Sequence, residues 1–253
     1  MKSPEEILEQ AYRFLKQERE MFGEWARPDA GTANGPEPTS APEESRPAEE
    51  PGSPGSEPVL QQRLQNCSTL DELRALCDSS EELKTDLEGT RLVFGVGNPQ
   101  ADLMLIGEAP GFYEDQQGEP FVGKAGQLLN KILNAIRLER QDVYIANILK
   151  HRPPDNRDPK PEERENSLPF LLRQIDLIQP KLILCLGRVS ATTLLGREAS
   201  LSSLRGTLHP FHGTELMATY HPAALLRNPQ WKRPVWEDVQ KLRERYDQLN
   251  CQP

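Results

Sequence analysis

Glu108, Phe121, Asn147 and His221 lie far apart in the chain, yet together they supply a carboxylate, a flat apolar face, a carboxamide and an imidazole. Such a set suits a pyrimidine base turned out of a nucleic acid, which is held by stacking on a ring and read by hydrogen bonds to its Watson–Crick edge. The Asn147 carboxamide offers an acceptor for a ring N–H and a donor for an exocyclic carbonyl. Taken singly, each residue has a plainer use. Phe121 after Pro120 suits a core position, Asn147 suits backbone satisfaction within a strand, His221 before Pro222 suits a structural role, and Glu108 suits the positive end of a helix. Only their joint placement argues for a site.

The elements that must provide that placement are legible as apolar runs alternating with amphipathic stretches. Strands are expected at Leu103–Ile106, Val143–Leu149, Leu182–Leu186 and Leu216–Tyr220, and helices at Gln127–Ile136, Glu162–Ile178, Ser190–Leu195 and Val235–Leu249. Buried strands separated by crossover helices imply a three-layer α/β/α sandwich around a mainly parallel, four-stranded central sheet. Ligands of such folds collect at the carboxyl ends of the strands. Gly107-Glu108-Ala109-Pro110-Gly111 follows the first strand, Asn147 lies in the second, Gly187 follows the third and His221-Pro222-Ala223 follows the fourth. Gly123-Lys124-Ala125-Gly126 reads as a helix start whose amides suit a phosphate, though it lacks the first Gly and the final Ser or Thr of a Walker loop.

The chain has 253 residues, room for one domain and something else. Residues 1–26 read as an amphipathic helix: Ser3-Pro4-Glu5-Glu6 forms a capping box, and Ile7, Ala11, Phe14 and Leu15 follow at helical spacing. This helix suits either its own domain or a partner protein. Residues 27–58 are rich in Pro, Gly, Ser and Glu and lack large aliphatic side chains, the composition of a disordered linker. Residues 59–90 read as a helical lead-in and 91–253 as the main domain. The net charge of −9 is uneven, with 20 acids against 9 bases in residues 1–90 and 19 against 21 thereafter. The main domain is therefore free of the acidity that would repel a polyanion. Cys67, Cys77, Cys185 and Cys251 show neither C-x-x-C spacing nor a histidine cluster, so no bound metal is expected, and free thiols suit a reducing cytoplasm. There is no apolar run near 18 residues. A monomeric cytoplasmic protein without membrane contact is expected.

Gly107-Glu108-Ala109-Pro110-Gly111, the run Pro120-Phe121-Val122-Gly123-Lys124-Ala125-Gly126, Asn147 with Lys150-His151-Arg152-Pro153-Pro154, and Tyr220-His221-Pro222-Ala223 resemble the motifs of type-4 uracil-DNA glycosylases, over residues 91–249. The resemblance implies hydrolysis of the N-glycosidic bond of deoxyuridine flipped out of DNA, in base excision repair. It places Glu108 and His221 in catalysis, and Gly107, Ala109, Phe121 and Asn147 around the base, with His221 on uracil O2. It places Leu225 as a minor-groove wedge and Arg227 on phosphate. It also implies an iron-sulfur cluster on four cysteines, but the matching positions here are Ser80, Leu83, His151 and Ser167, so a cluster-free protein is expected. Ala109 stands where better known uracil glycosylases place an Asp, leaving Glu108 as the expected water-positioning group, with Glu114 and Asp115 as alternatives. Those departures also motivate the alternative of a catalytically silent uracil-DNA binding module. Covalent capture of uracil by His151 is not expected, because the basic loop that carries such a histidine is missing.

Overall fold

A computed structural model describes residues 56–253. The amphipathic helix expected at 1–26 and residues 27–55 of the expected linker lie outside the described residues. The first described helix, α1 (Ser56–Asn66), begins three residues before the helical lead-in expected at 59. Helix α2 (Leu70–Asp78) follows, started by a capping box in which Thr69 accepts from the Glu72 amide.

Strands β1 (Val96–Gly97), β2 (Leu103–Gly107), β3 (Tyr144–Asn147), β4 (Leu182–Leu186), β5 (Leu208–Phe211) and β6 (Thr214–Thr219) form one sheet in the order β1-β3-β2-β4-β6-β5. The four central strands are parallel, as the apolar runs predict. The sheet has six strands rather than the expected four, because β1 and β5 add antiparallel edges. Neither edge carries a legible signal: β1 has two residues, and β5 contains Pro210, which has no N–H for a ladder and belongs at an edge. Between β5 and β6, His212 and Gly213 both have positive φ (44° and 79°), the geometry of a tight two-residue hairpin.

The remaining helices are α3 (Phe112–Gln117), α4 (Lys124–Ala135), α5 (Pro161–Ile178), α6 (Arg188–Leu195), α7 (Leu201–Leu204), α8 (Pro222–Arg227) and α9 (Lys232–Gln248). Alternation along the strands assigns them to layers. Leu103, Leu105, Ile145, Leu182 and Leu184 face a core shared with Leu129 and Ile132 of α4 and Trp236, Val239 and Leu242 of α9. Met104, Ile106, Ala146, Ile183 and Cys185 face the opposite core, with Leu171 and Ile175 of α5 and Ala191 and Leu194 of α6. Leu73, Cys77 and Leu83 form a third cluster with Phe94 and with Phe170 of α5, seating the first two helices on the sandwich.

Parallel register brings the chemistry together. Gly107 pairs with Asn147 across β2 and β3, Ile106 with Cys185, and Leu186 with Thr219. The residues that leave these strands therefore emerge on one rim.

Candidate active site

That rim encloses a cavity of about 640 Å³ lined by Glu108, Ala109, Phe121, Asn147, His221 and Arg227, among others. Five positions chosen from the sequence for base binding, catalysis or phosphate thus share one cavity with Asn147. Gly107 lies behind the wall. A Cβ there would fall 2.3 Å from Asn147 Oδ1 and 2.7 Å from Phe121 Cζ, so the missing side chain makes room for both.

Phe121 is held in an unfavourable conformation, with φ of 54°. Its carbonyl accepts from Arg140 Nη1 (3.3 Å) and the Pro120 carbonyl from Arg140 Nη2. A Cβ at Gly126 would overlap the Phe121 carbonyl, 1.8 Å away, which explains the small residue in the first turn of α4. The ring lies 5.3 Å from the His221 imidazole with 31° between planes. Glu114 Oε1 accepts from the amides of Val122 (3.0 Å) and Gly123 (3.2 Å). The anion at the start of α4 is therefore this carboxylate, not the phosphate suggested by the Gly123-Lys124-Ala125-Gly126 run.

Asn147 is 2% exposed, and its Oδ1 has no hydrogen-bond partner among the described residues. A buried acceptor left unsatisfied costs about 1–3 kcal/mol, a deficit that a ligand N–H removes. Its backbone is anchored by Lys150, a fully buried ammonium that donates to the carbonyls of Asn147 (3.0 Å) and Phe94 (3.3 Å) and to Gln174 Oε1.

His221 caps α8. Its Nδ1 accepts from the Ala223 amide at 3.1 Å, so in the neutral ring the proton sits on Nε2. Burial, with nearby Arg227 adding to it, pushes the imidazole down to about 4. The group is therefore a neutral N–H donor near pH 7.

Glu108 titrates in the opposite sense. Burial, reinforced by Asp158, raises its carboxyl to about 7 against the opposing pull of Arg188 and Arg164. Of its two alternatives, Glu114 is committed to backbone amides. Asp115 lies outside the cavity, where it accepts from the Arg91 amide (2.8 Å). The Glu108 backbone carbonyl accepts from the Leu149 amide (3.0 Å), but its side chain makes no hydrogen bond or ion pair among the described residues, which leaves the carboxylate oxygens available to water.

Leu225, expected as the minor-groove wedge, is buried rather than exposed. It is 0% exposed and packs into the core with α4 and α9, whereas Leu226, about 100° further round α8, is 49% exposed. Arg227 is exposed beside it, with no ion pair among the described residues. Sequence reasoning missed Asp158 and Arg188, which flank Glu108, and the stack of Tyr220 on Trp231 (4.6 Å between centroids) in the cavity wall. A run of charge and a lone Trp carry no signal that points to one rim.

The four positions matching cluster ligands are buried, and they do not fit an iron-sulfur cluster. Ser80 Oγ donates to the Leu76 carbonyl (2.7 Å), Leu83 packs in the third apolar cluster, and His151 Nδ1 shares a hydrogen bond with Thr90 Oγ1 (3.1 Å). Together with Ser167 they offer one imidazole and no thiolate. Nearby Cys77 is pushed by burial up to about 12, a neutral thiol. Among the described residues no group of three or more His, Cys, Asp or Glu side chains is arranged to hold a metal. His151 lies outside the cavity of His221 and Asn147. No helix among the described residues is long and apolar enough to cross a membrane.

The fold and the site define a doubly covered α/β protein whose parallel strands end at a pocket lined by the Phe121 ring, the Asn147 carboxamide and the neutral His221 imidazole. Residues 94–242 match the sequence profile of the Uracil DNA glycosylase superfamily, and the chain belongs to that superfamily. It is 43% identical over 171 residues to a type-4 uracil-DNA glycosylase of Archaeoglobus fulgidus, a match covering 64% of this chain and 86% of the relative. It is 40% identical over 161 residues to the type-4 enzyme of Thermotoga maritima, covering 62% and 84%. Similarity to a type-5 uracil-DNA glycosylase of Thermus thermophilus is lower, 29% over 155 residues, covering 52% and 68%.

Proposed function

We propose that the chain is a monofunctional uracil-DNA glycosylase acting in base excision repair. The carrying observation is the buried Asn147 Oδ1, without a hydrogen-bond partner among the described residues, in the cavity that Phe121 and His221 also line. Uracil stacked on Phe121 presents its N3–H to that oxygen and its O4 to the Asn147 amide donor, while O2 accepts from His221 Nε2. As the C1′–N1 bond breaks, its electron pair passes to uracil, and the preorganised His221 N–H stabilises the resulting anion. Water held by Glu108 adds its oxygen to C1′ and gives its proton to the carboxylate. Incubation with an oligonucleotide containing one deoxyuridine tests this: alkali-labile abasic sites are expected. A gel shift without cleavage would instead establish a silent binding module.

Asn147→Asp is expected to lower the ratio of uracil to cytosine excision, because an acceptor then faces O4 and suits the cytosine amino group. Single-turnover cleavage of mismatched substrates differing only in U or C reads the ratio directly. An unchanged ratio would remove Asn147 from base reading.

The exposed end of α8 supports a DNA-facing role for Leu226 as the wedge and Arg227 as a phosphate contact. Arg227→Ala is expected to weaken binding to DNA of any sequence and reduce the log–log salt slope by about 0.9 for a duplex. An unaltered slope would place Arg227 away from phosphate.

The donor set at Ser80, Leu83, His151 and Ser167 supports a glycosylase without an iron-sulfur cluster. Purified protein is expected to be colourless and free of stoichiometric iron. A full complement of cluster iron per chain would overturn that reading.

A further inference from the structure

Among the described residues, the large apolar side chains most exposed to solvent are Val59, Phe112, Tyr113 and Leu226. Scattered apolar residues are ordinary on a surface, but three of these four directly follow or precede in sequence residues that line one cavity. Leu226 lies on α8 beside the cavity-lining Arg227. Phe112 (50% exposed) and Tyr113 (61% exposed) open α3 directly after Gly111, itself a lining residue.

The two rings are supported from both sides. They meet edge to face, with centroids 5.5 Å apart and 82° between planes. The Arg152 guanidinium lies 5.1 Å from the Phe112 centroid, and its Nε donates to Asn156 Oδ1 (2.8 Å), another lining residue. Tyr113 lies against Gly123, where a Cβ would come within 3.4 Å of Tyr113 Cδ2. The nearest carboxylate on the same helix, Glu114, is turned inward to the amides of Val122 and Gly123. The outer surface therefore combines two exposed rings with a cation. That combination binds the π-face of a base and the phosphate that carries it, largely independently of base identity.

We propose that Phe112, Tyr113 and Arg152 form a second stacking platform, which takes an unpaired nucleobase adjacent in the strand to the nucleotide in the cavity. The platform rests on the reading of the cavity as a uracil site and adds recognition of the neighbouring nucleotide. A protein partner fits less well, because the patch is joined through Gly111 and Asn156 to the lining of the cavity proposed to take the flipped base.

A cycle between protein and substrate tests it. The parent substrate is a single-stranded oligonucleotide with one deoxyuridine; in two derivatives the nucleotide on one side or the other is replaced by a tetrahydrofuran abasic residue. For wild-type protein, kcat/KM is expected to fall about tenfold with one of the derivatives. Phe112→Ala/Tyr113→Ala is expected to lose about tenfold on the parent and nothing further on that derivative, because the same contact is removed twice. Both substitutions are at exposed positions, and an unchanged melting temperature verifies folding. A variant as fast as wild type on the parent, or losses that multiply, would overturn the platform. Wild-type protein that excises deoxyuridine from a duplex but not from the single-stranded parent would overturn the platform alone, whereas inactivity on both would overturn the uracil reading and the platform with it.

Discussion

Replacing His221 by alanine is expected to slow base excision about 10²- to 10³-fold while leaving DNA affinity nearly unchanged. The imidazole is neutral, with its one proton fixed on Nε2 by the bond from the Ala223 amide to Nδ1. In the proposed role, its hydrogen bond to the base is modest while uracil is neutral and strengthens as charge passes to the leaving group. The loss therefore belongs to the transition state. Removing the cap of α8 costs about 1 kcal/mol of stability, so a melting curve separates misfolding from chemistry. Single-turnover rates beside gel-shift affinities give the comparison, and a variant with wild-type turnover would return His221 to a capping role.

Glu108→Gln is expected to cost about 10²- to 10⁴-fold, the range for a lost general base. The wild-type protein also carries a pH signature. In the proposed role Glu108 must be ionised to take a proton from water, and burial pushes its carboxyl up to about 7. The rate should therefore fall about tenfold per unit as pH drops well below 7, and level off above it. His221, near 4, adds no inflection between pH 5 and 8. The Gln variant should be slow and flat over that interval. A wild-type profile without the limb, or a variant that keeps it, would assign water activation elsewhere.

The parallel core of the sheet and the rim it creates are legible because their signals are local. Runs such as Leu103-Met104-Leu105-Ile106 admit strands buried on both faces, and the motif residues fall at the ends of such runs. The edge strands escaped that logic, since two residues at Val96–Gly97 and a Pro-containing segment at 208–211 show no alternation. Leu225 and Leu226 are chemically identical, and only the rotation of α8 on the core decides which one is buried. Glu114 and Glu108 are likewise indistinguishable by type. The amides of Val122 and Gly123 occupy one, while burial beside Asp158 raises the other. The partnerless oxygen of Asn147 has no sequence signal, because satisfaction of a buried acceptor depends on every neighbour in three dimensions.

The proposed activity requires Asn147 to receive the N3–H of a uracil whose bond to the sugar is then cut. The direct measurement compares oligonucleotides carrying deoxyuridine, 3-methyldeoxyuridine or deoxycytidine at one position, scored for alkali-labile abasic sites under single-turnover conditions. Deoxyuridine alone should be excised efficiently, because a methyl group at N3 removes the donor and collides with the buried Oδ1. Excision of the methylated base at the same rate as uracil, or intact deoxyuridine after prolonged incubation, would contradict the account.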